Sequence, residues 1–305
     1  MTKRRRRVLF WSFVLIFLAA ILPILFYSFG YRFSWDEFKF VRAGGLLVTS
    51  TPATGVKIYV DGKFIHETSL ISRRAYLAGL TPRAYHIHIE RDGYYPWDKA
   101  LIVEPEKVAS AEAILVKKEE PRLLLKGAFD GVAFYDGSEE IISLLQKKKR
   151  TLFSLDTGAA LSARPPRTAS ATSSAAFLQS IQPVLADKKP SGFDADEPSR
   201  ILWWDKSTLW VKWLEGEDRL PLYTEEIERK IFEARSPIRD AAFYPDQEAV
   251  LVATDTDILV IELDGRVWRN KQAMYTGASP RFVVSPTKKE LYLVDNGSLY
   301  LIALL

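Results

Sequence analysis

No cysteine occurs among the 305 residues. Its absence excludes disulfide bonds, thiol catalysis, cysteine-based metal sites and lipid attachment through cysteine. The phosphate-cradling Gly-Lys-Ser/Thr loop, the dinucleotide-binding glycine fingerprint and the Gly-x-Ser-x-Gly elbow are missing too. Catalysis thus has no visible candidate, and the chain is expected to be a non-enzyme without cofactors or a resident metal. An excess of one charge is also lacking once the first residues are set aside. The formal net charge is +4, yet Lys3 and Arg4 to Arg7 supply five cations, leaving 37 basic against 38 acidic residues. A neutral body exerts no general pull on phosphate backbones, which argues against a nucleic-acid partner.

What the sequence does have is a long uncharged run. Val8 to Phe29 follows the five cations directly, and as a helix those residues span about 33 Å, the thickness of a hydrocarbon core. Lys/Arg clusters stay on the cytoplasmic side. Residues 1–7 therefore read as a cytoplasmic basic tail and 8–30 as a transmembrane signal anchor, giving a single-pass cell-membrane protein with its remaining domains extracytoplasmic. A cleaved signal peptide would have a shorter apolar region of about 7 to 15 residues ending in a small-x-small site. The best such site here, Leu18-Ala19-Ala20, lies inside the run. A buried core helix would show a polar face, and this run has none. Residues 31–44 form a connector, in which Tyr31, Phe33 and Trp35, with Tyr27 before them, suit an aromatic belt or the start of the folded part.

From Gly44-Gly45 to about Val116 the chain carries strand signals. Val56, Ile58 and Val60 alternate with Lys57 and Tyr59 before an Asp61-Gly62 turn; Tyr85, Ile87 and Ile89 alternate with His86, His88 and Glu90 before Asp92-Gly93. No helical period of comparable length intervenes, so a small all-β sandwich is expected over 45–117. Pro52, Val56, Ile58, Val60, Asp61 and Gly62, followed by Leu80, Pro82, Tyr85, Ile87, Ile89, Gly93, Tyr94 and Trp97, resemble a PEGA domain. In place of that family's Pro-Glu-Gly-Ala this chain has Pro52-Ala53-Thr54-Gly55, and its late Pro-Gly becomes Pro82-Arg83-Ala84; both changes fall in turns. The resemblance implies extracytoplasmic placement, a non-catalytic role and contact with envelope glycans or partner proteins.

Residues 121–305 repeat a different pattern. "EEIISLLQKKKRTLFSLDTG", "RILWWDKSTLWVKWLEG", "AVLVATDTDILVIELDG" and "ELYLVDNGSLYLIALL" each join two β-rich runs through a polar turn, and Asn296-Gly297 suits a type I′ hairpin. A preceding strand is visible in "GVAFYDGSEE", "DAAFYPDQEA" and "RFVVSPTKKE". Pro245 and Pro286 stand 41 residues apart, inside the window of about 40 to 45 for four-stranded propeller blades. The units resemble TolB-like and WD40-like blades. The last unit shows three strands, while "PRLLLKG" at 121–127 stands unattached before the first. Pairing of that strand with 298–305 would remove an open sheet edge. A small propeller of about four blades is expected, or an incomplete one, since 163–176 and 186–199 read as loops interrupting the repeat.

Among candidate contact residues, Tyr95, Trp203, Trp204 and Trp210 could offer faces for a sugar or a protein partner, with core packing as the alternative. Trp210 and Lys212 share one strand face and Leu209, Val211 and Trp213 the other, so at least one tryptophan is expected to point outward. Tyr94 and Trp97 read as core. His86 and His88 share a strand face at a spacing a metal site could use, but without a third ligand they read as exposed polar residues. Asp255-Thr256-Asp257 lacks a calcium-loop series and reads as a turn, and Lys147 to Arg150 as a solvated turn. The expected function is binding or scaffolding in the cell envelope through polysaccharide or surface-protein contact. The alternative is an envelope glycan hydrolase using loop carboxylates of the propeller.

Overall fold

The structure is a computed structural model describing residues 3–35, 38–135, 138–147, 149–161, 175–196, 198–216 and 219–304. It is all-β apart from two helices, the first being α1 (Lys3–Ser28). Within α1, Arg5–Ser28 is long and apolar enough to cross a membrane, and no residue of its most apolar stretch is buried. After it, β1 (Tyr31–Ser34) and β2 (Lys39–Arg42) form an antiparallel hairpin. The chain divides into two compact units, Met1–Ile89 with Asp98–Ala113, and Glu90–Trp97 with Ile114–Leu305.

In the first unit β3 (Gly44–Thr51), β4 (Lys57–Val60), β5 (Lys63–Glu67), β6 (Arg74–Leu80), β7 (Arg83–Glu90), β8 (Trp97–Val103) and β9 (Val108–Ile114) make two sheets. Their orders are β6-β3-β9 and β5-β4-β7-β8. The expected alternation is realised: Val56, Ile58, Val60, Tyr85, Ile87 and Ile89 are buried with Leu46 and Val48 of the other sheet. Asp61, at positive φ in its turn, fixes the β4–β7 corner by accepting the His86 amide at 2.9 Å and Arg83 Nη2 at 2.6 Å.

The second unit holds four four-stranded antiparallel sheets. The first blade is β11 (Gly131–Tyr135), β12 (Ser138–Gln146), β13 (Lys149–Ser154) and β14 (Ala159–Leu161). The second is β15 (Gly192–Asp196), β16 (Arg200–Asp205), β17 (Thr208–Trp213) and β18 (Glu228–Glu233). The third is β19 (Asp240–Phe243), β20 (Ala249–Ala253), β21 (Asp257–Glu262) and β22 (Lys271–Thr276), and the fourth holds β23 (Arg281–Ser285), β24 (Glu290–Asp295) and β25 (Gly297–Ala303). Its outer strand is β10 (Arg122–Phe129), which pairs with β25 in the register Arg122↔Leu301 and Leu123↔Tyr300. The chain's early strand thus completes its last sheet. All four expected hairpins are present, and the Asn296-Gly297 turn has both residues at positive φ. Gly297 is required twice over, because a Cβ there would also sit 2.8 Å from the Gly127 carbonyl oxygen of the latching strand.

Two readings of the interruption need correction. Residues 192–196, read as loop, form β15, and 175–188, partly read as loop, form the helix α2 (Ala175–Lys188); residues 163–174 of the expected loop lie outside the described residues. Phe177, Ile181 and Leu185 recur at helical spacing, and Pro183 inside the helix obscures the pattern. Core clusters join the fourth blade to the first, the third to the fourth and the second to the third. The other face of the second blade is covered by α2, whose Phe177, Ile181 and Leu185 pack on Ile201 and Trp203. A helix therefore takes the surface that a neighbouring blade would cover in a regular ring. Ile181→Ala is expected to cost about 2–4 kcal/mol, since the side chain is fully buried. Equilibrium unfolding measures the loss, and a red shift of tryptophan emission should accompany it as Trp203 and Trp210 gain water.

Candidate functional site

The innermost strands β11, β15, β19 and β23 surround one cavity of about 440 Å³. Its wall mixes rings with acids: Phe134, Phe193 and Phe282 on one hand, Asp194, Asp196 and Asp240 on the other. The described residues that line it include no histidine, serine or lysine. Phe193, at 44% exposure, is its most accessible ring among the large exposed hydrophobics. Gly192 beside it has no room for a side chain, because a Cβ would lie 2.2 Å from the Trp204 ring on the paired strand.

The acids do two different jobs. Asp194 Oδ2 accepts the Phe243 amide of the next blade at 2.8 Å, and Asp240 Oδ2 accepts the Phe282 amide of the blade after that at 3.4 Å. The same device, a carboxylate on one inner strand holding the backbone of the next, thus recurs between successive blades. Asp194 lines the cavity, and burial pushes its carboxyl up to about 6 against the pull of the Phe243 and Ala195 amides. Burial raises Asp240 to about 6 as well, opposed by the Arg281 guanidinium 3.6 Å away. Asp196 and Asp246 hold no backbone of a following blade among the described residues and are paired more closely with cations, Arg200 Nε and Lys289 Nζ, each at 2.8 Å. Arg200 is buried, continues to Glu248 at 3.0 Å and lies over the Phe243 ring. Ring faces can meet apolar C–H groups of a small ligand, and carboxylates can accept from its donors.

The aromatics named from sequence lie elsewhere or are covered. Trp203 and Trp204 are buried, so neither serves as an open stacking platform. Trp203 stacks on its cross-strand partner Trp210, with centroids 6.4 Å apart, and both pack with α2. The strand alternation held: Leu209, Val211 and Trp213 are buried between blades, while half-buried Trp210 lies on the opposite face. Trp204 borders the cavity by its edge of the second blade. Tyr95 is half-buried against the core of the third and fourth blades, with Lys118 Nζ 5.2 Å above its ring. Trp97 is buried and donates its indole N–H to Glu262.

His86 and His88 share a face as expected, and both approach one carboxylate: His88 Nδ1 is 2.8 Å and His86 Nε2 3.5 Å from Asp98 Oδ1. Among the described residues no group of three or more His, Cys, Asp or Glu is arranged to hold a metal ion. Asp255 sits in the turn between β20 and β21, paired with Arg239 Nη2 at 2.8 Å, and Asp257 opens β21. The cavity acids escaped sequence reasoning because "GFDAD" has the composition of a loop; the visible signal was Asp240 opening the otherwise apolar strand β19.

No protein family model matches the chain, and no curated protein matches it. Solved structures similar to it include a nidogen/laminin complex, at 13% identity over 82% of this chain and 74% of that one, with a TM-score of 0.29. A Swd1 β-propeller domain from Myceliophteria thermophila is 12% identical over 58% and 55%, at 0.25. An auxiliary nutrient binding protein from Bacteroides thetaiotaomicron is 8% identical over 79% and 57%, also at 0.25. In the last two cases the match spans little more than half of the other chain. Likenesses this low carry no argument, and the architecture rests on the strand pairings.

Proposed function

We propose that this is a single-pass protein of the cell envelope, with its basic tail in the cytoplasm, whose extracytoplasmic body binds without reacting. The PEGA-like sandwich follows the anchor in the chain, and the cavity among the four inner strands takes a sugar unit of an envelope glycan. The supporting observation is the cavity wall, where accessible Phe193 stands beside acids already engaged by backbone amides or cations. Acids so engaged favour holding a ligand over transferring protons to it. The anchor reading is supported by the length and apolarity of Arg5–Ser28 and by the cations that precede it.

The full chain in lipid nanodiscs, titrated calorimetrically with soluble oligosaccharide fragments of envelope polymers, tests the reading. Binding should weaken about tenfold in Phe193→Ala, the loss of one stacked ring face being about 1–1.5 kcal/mol. Absence of binding to every fragment, or binding indifferent to Phe193, would sink it. The hydrolase alternative draws on Asp194 and Asp240, both raised to about 6 as a general acid requires. Release of new reducing ends during the same titrations, abolished by Asp240→Asn, would favour it.

A further inference from the structure

We propose that the β1–β2 hairpin is a second membrane contact, an aromatic wedge lying at the headgroup level of the outer leaflet beside the end of α1. It rests on the reading of α1 as a retained span. The hairpin register places Tyr31 opposite Arg42 and Phe33 opposite Phe40, while Arg32 faces Val41 and Ser34 faces Lys39. Cross-strand partners share a face, so Tyr31, Phe33 and Phe40 form one side with Arg42 at its edge, where it pairs with Glu106, and Arg32, Ser34, Lys39 and Val41 lie on the other.

The aromatic side is continuous with the helix. Phe26, inside the apolar span, stacks on Phe40 with centroids 5.2 Å apart and meets Tyr31 edge-on at 5.6 Å. Phe33 in turn contacts Phe40, Trp35 and Phe38 at 5.4, 4.9 and 6.3 Å. These contacts hold the base of the hairpin at the depth of the last helical turn, which is where a bilayer meets water. Yet this cluster is left open: Trp35 and Phe38 are 76% and 77% exposed, and Phe40 more than half. Large exposed rings gathered in one place need a cover. Rings with polar partners favour the membrane interface, and Arg32 sits 3.7 Å over the Tyr27 ring while donating to the Tyr27 and Tyr31 carbonyls.

A second exposed apolar pair of this unit, Leu70 and Ile71, belongs to a different end. It precedes Arg74, which pairs with Thr49, whereas the hairpin neighbours the opposite end of β6, where Gly79 lies against Arg32. That pair supplies an internal control. Because the chain lacks cysteine, single-cysteine variants Leu15→Cys, Phe38→Cys and Ile71→Cys can carry spin labels in the full-length protein, in phosphatidylcholine nanodiscs. The ratio of oxygen to nickel-chelate accessibility should be highest at 15, several-fold above the Ile71 value at 38, and aqueous at 71. Trp35→Cys provides a second reporter should the label at 38 disturb the turn. Labels at 35 and 38 behaving like that at 71, with 15 still deep, would overturn the wedge alone. An aqueous label at 15 would overturn the retained span as well.

Discussion

Deleting Arg122–Phe129 is expected to lower the stability of the second unit by well over 3 kcal/mol and to make the protein prone to aggregation. Phe129 is buried in the cluster that joins the first and fourth blades, against Ile142, Leu144 and Phe153 on one side and Leu299 and Leu301 on the other. Truncating one such ring costs about 3–5 kcal/mol by itself. The deletion also strips β25 of its outer partner, leaving a row of unpaired amides and carbonyls in a strand whose residues favour pairing. Phe129→Ala separates the two effects, since it removes the ring and keeps the ladder. Denaturant unfolding followed by tryptophan fluorescence reads both. A deletion variant within about 1 kcal/mol of the parent would mean that the latch contributes nothing.

Stability of the second unit should fall as pH rises from about 4 to about 6. Asp194 and Asp240 release their protons near 3.8 when unfolded and near 6 when folded. Between those values the folded chain holds more protons than the unfolded one, so raising the pH favours unfolding. Each acid contributes up to about 2–3 kcal/mol of this loss, complete once the pH exceeds the folded value. Asp194→Asn keeps an acceptor for the Phe243 amide and removes the charge. Its stability relative to the parent should therefore rise through the window and level off above it. The difference between the two proteins is the informative quantity, because Asp61 acts oppositely. Burial alone would raise that group, but the His86 amide and Arg83 hold it below the usual carboxylate range. A difference flat from pH 4 to 7 would contradict the assignment of the buried proton.

Much of this architecture is readable from one sequence, and the unread parts share a cause. The hairpins announce themselves because their strands are buried on both faces, as in β20, where every residue from Ala249 to Ala253 is covered. The outer strands do not: β18 reads "ERKIFE" and β22 "KQAMYT", polar runs on a wet edge whose pairing is set by the neighbouring strand. Strand β15 hides for a related reason, since two of its five residues are acids turned towards a cavity and a neighbouring blade. Alternation along β17 assigned the tryptophan faces correctly but carried no information about α2, which comes from elsewhere in the chain to cover one of them. The candidate site suffers most, because its wall is assembled one short strand at a time from four distant segments.

The latch also sets an order of events during synthesis. Strand β10 is made before any blade exists, and β25 is the last strand of this sequence, so the two meet only after everything between them has left the ribosome. Until then an apolar ribbon waits without a partner on the growing polypeptide. Pairings this distant in sequence form slowly. Expression of this protein should accordingly be most vulnerable to premature termination and to proteolysis during that interval, even where the finished molecule is durable.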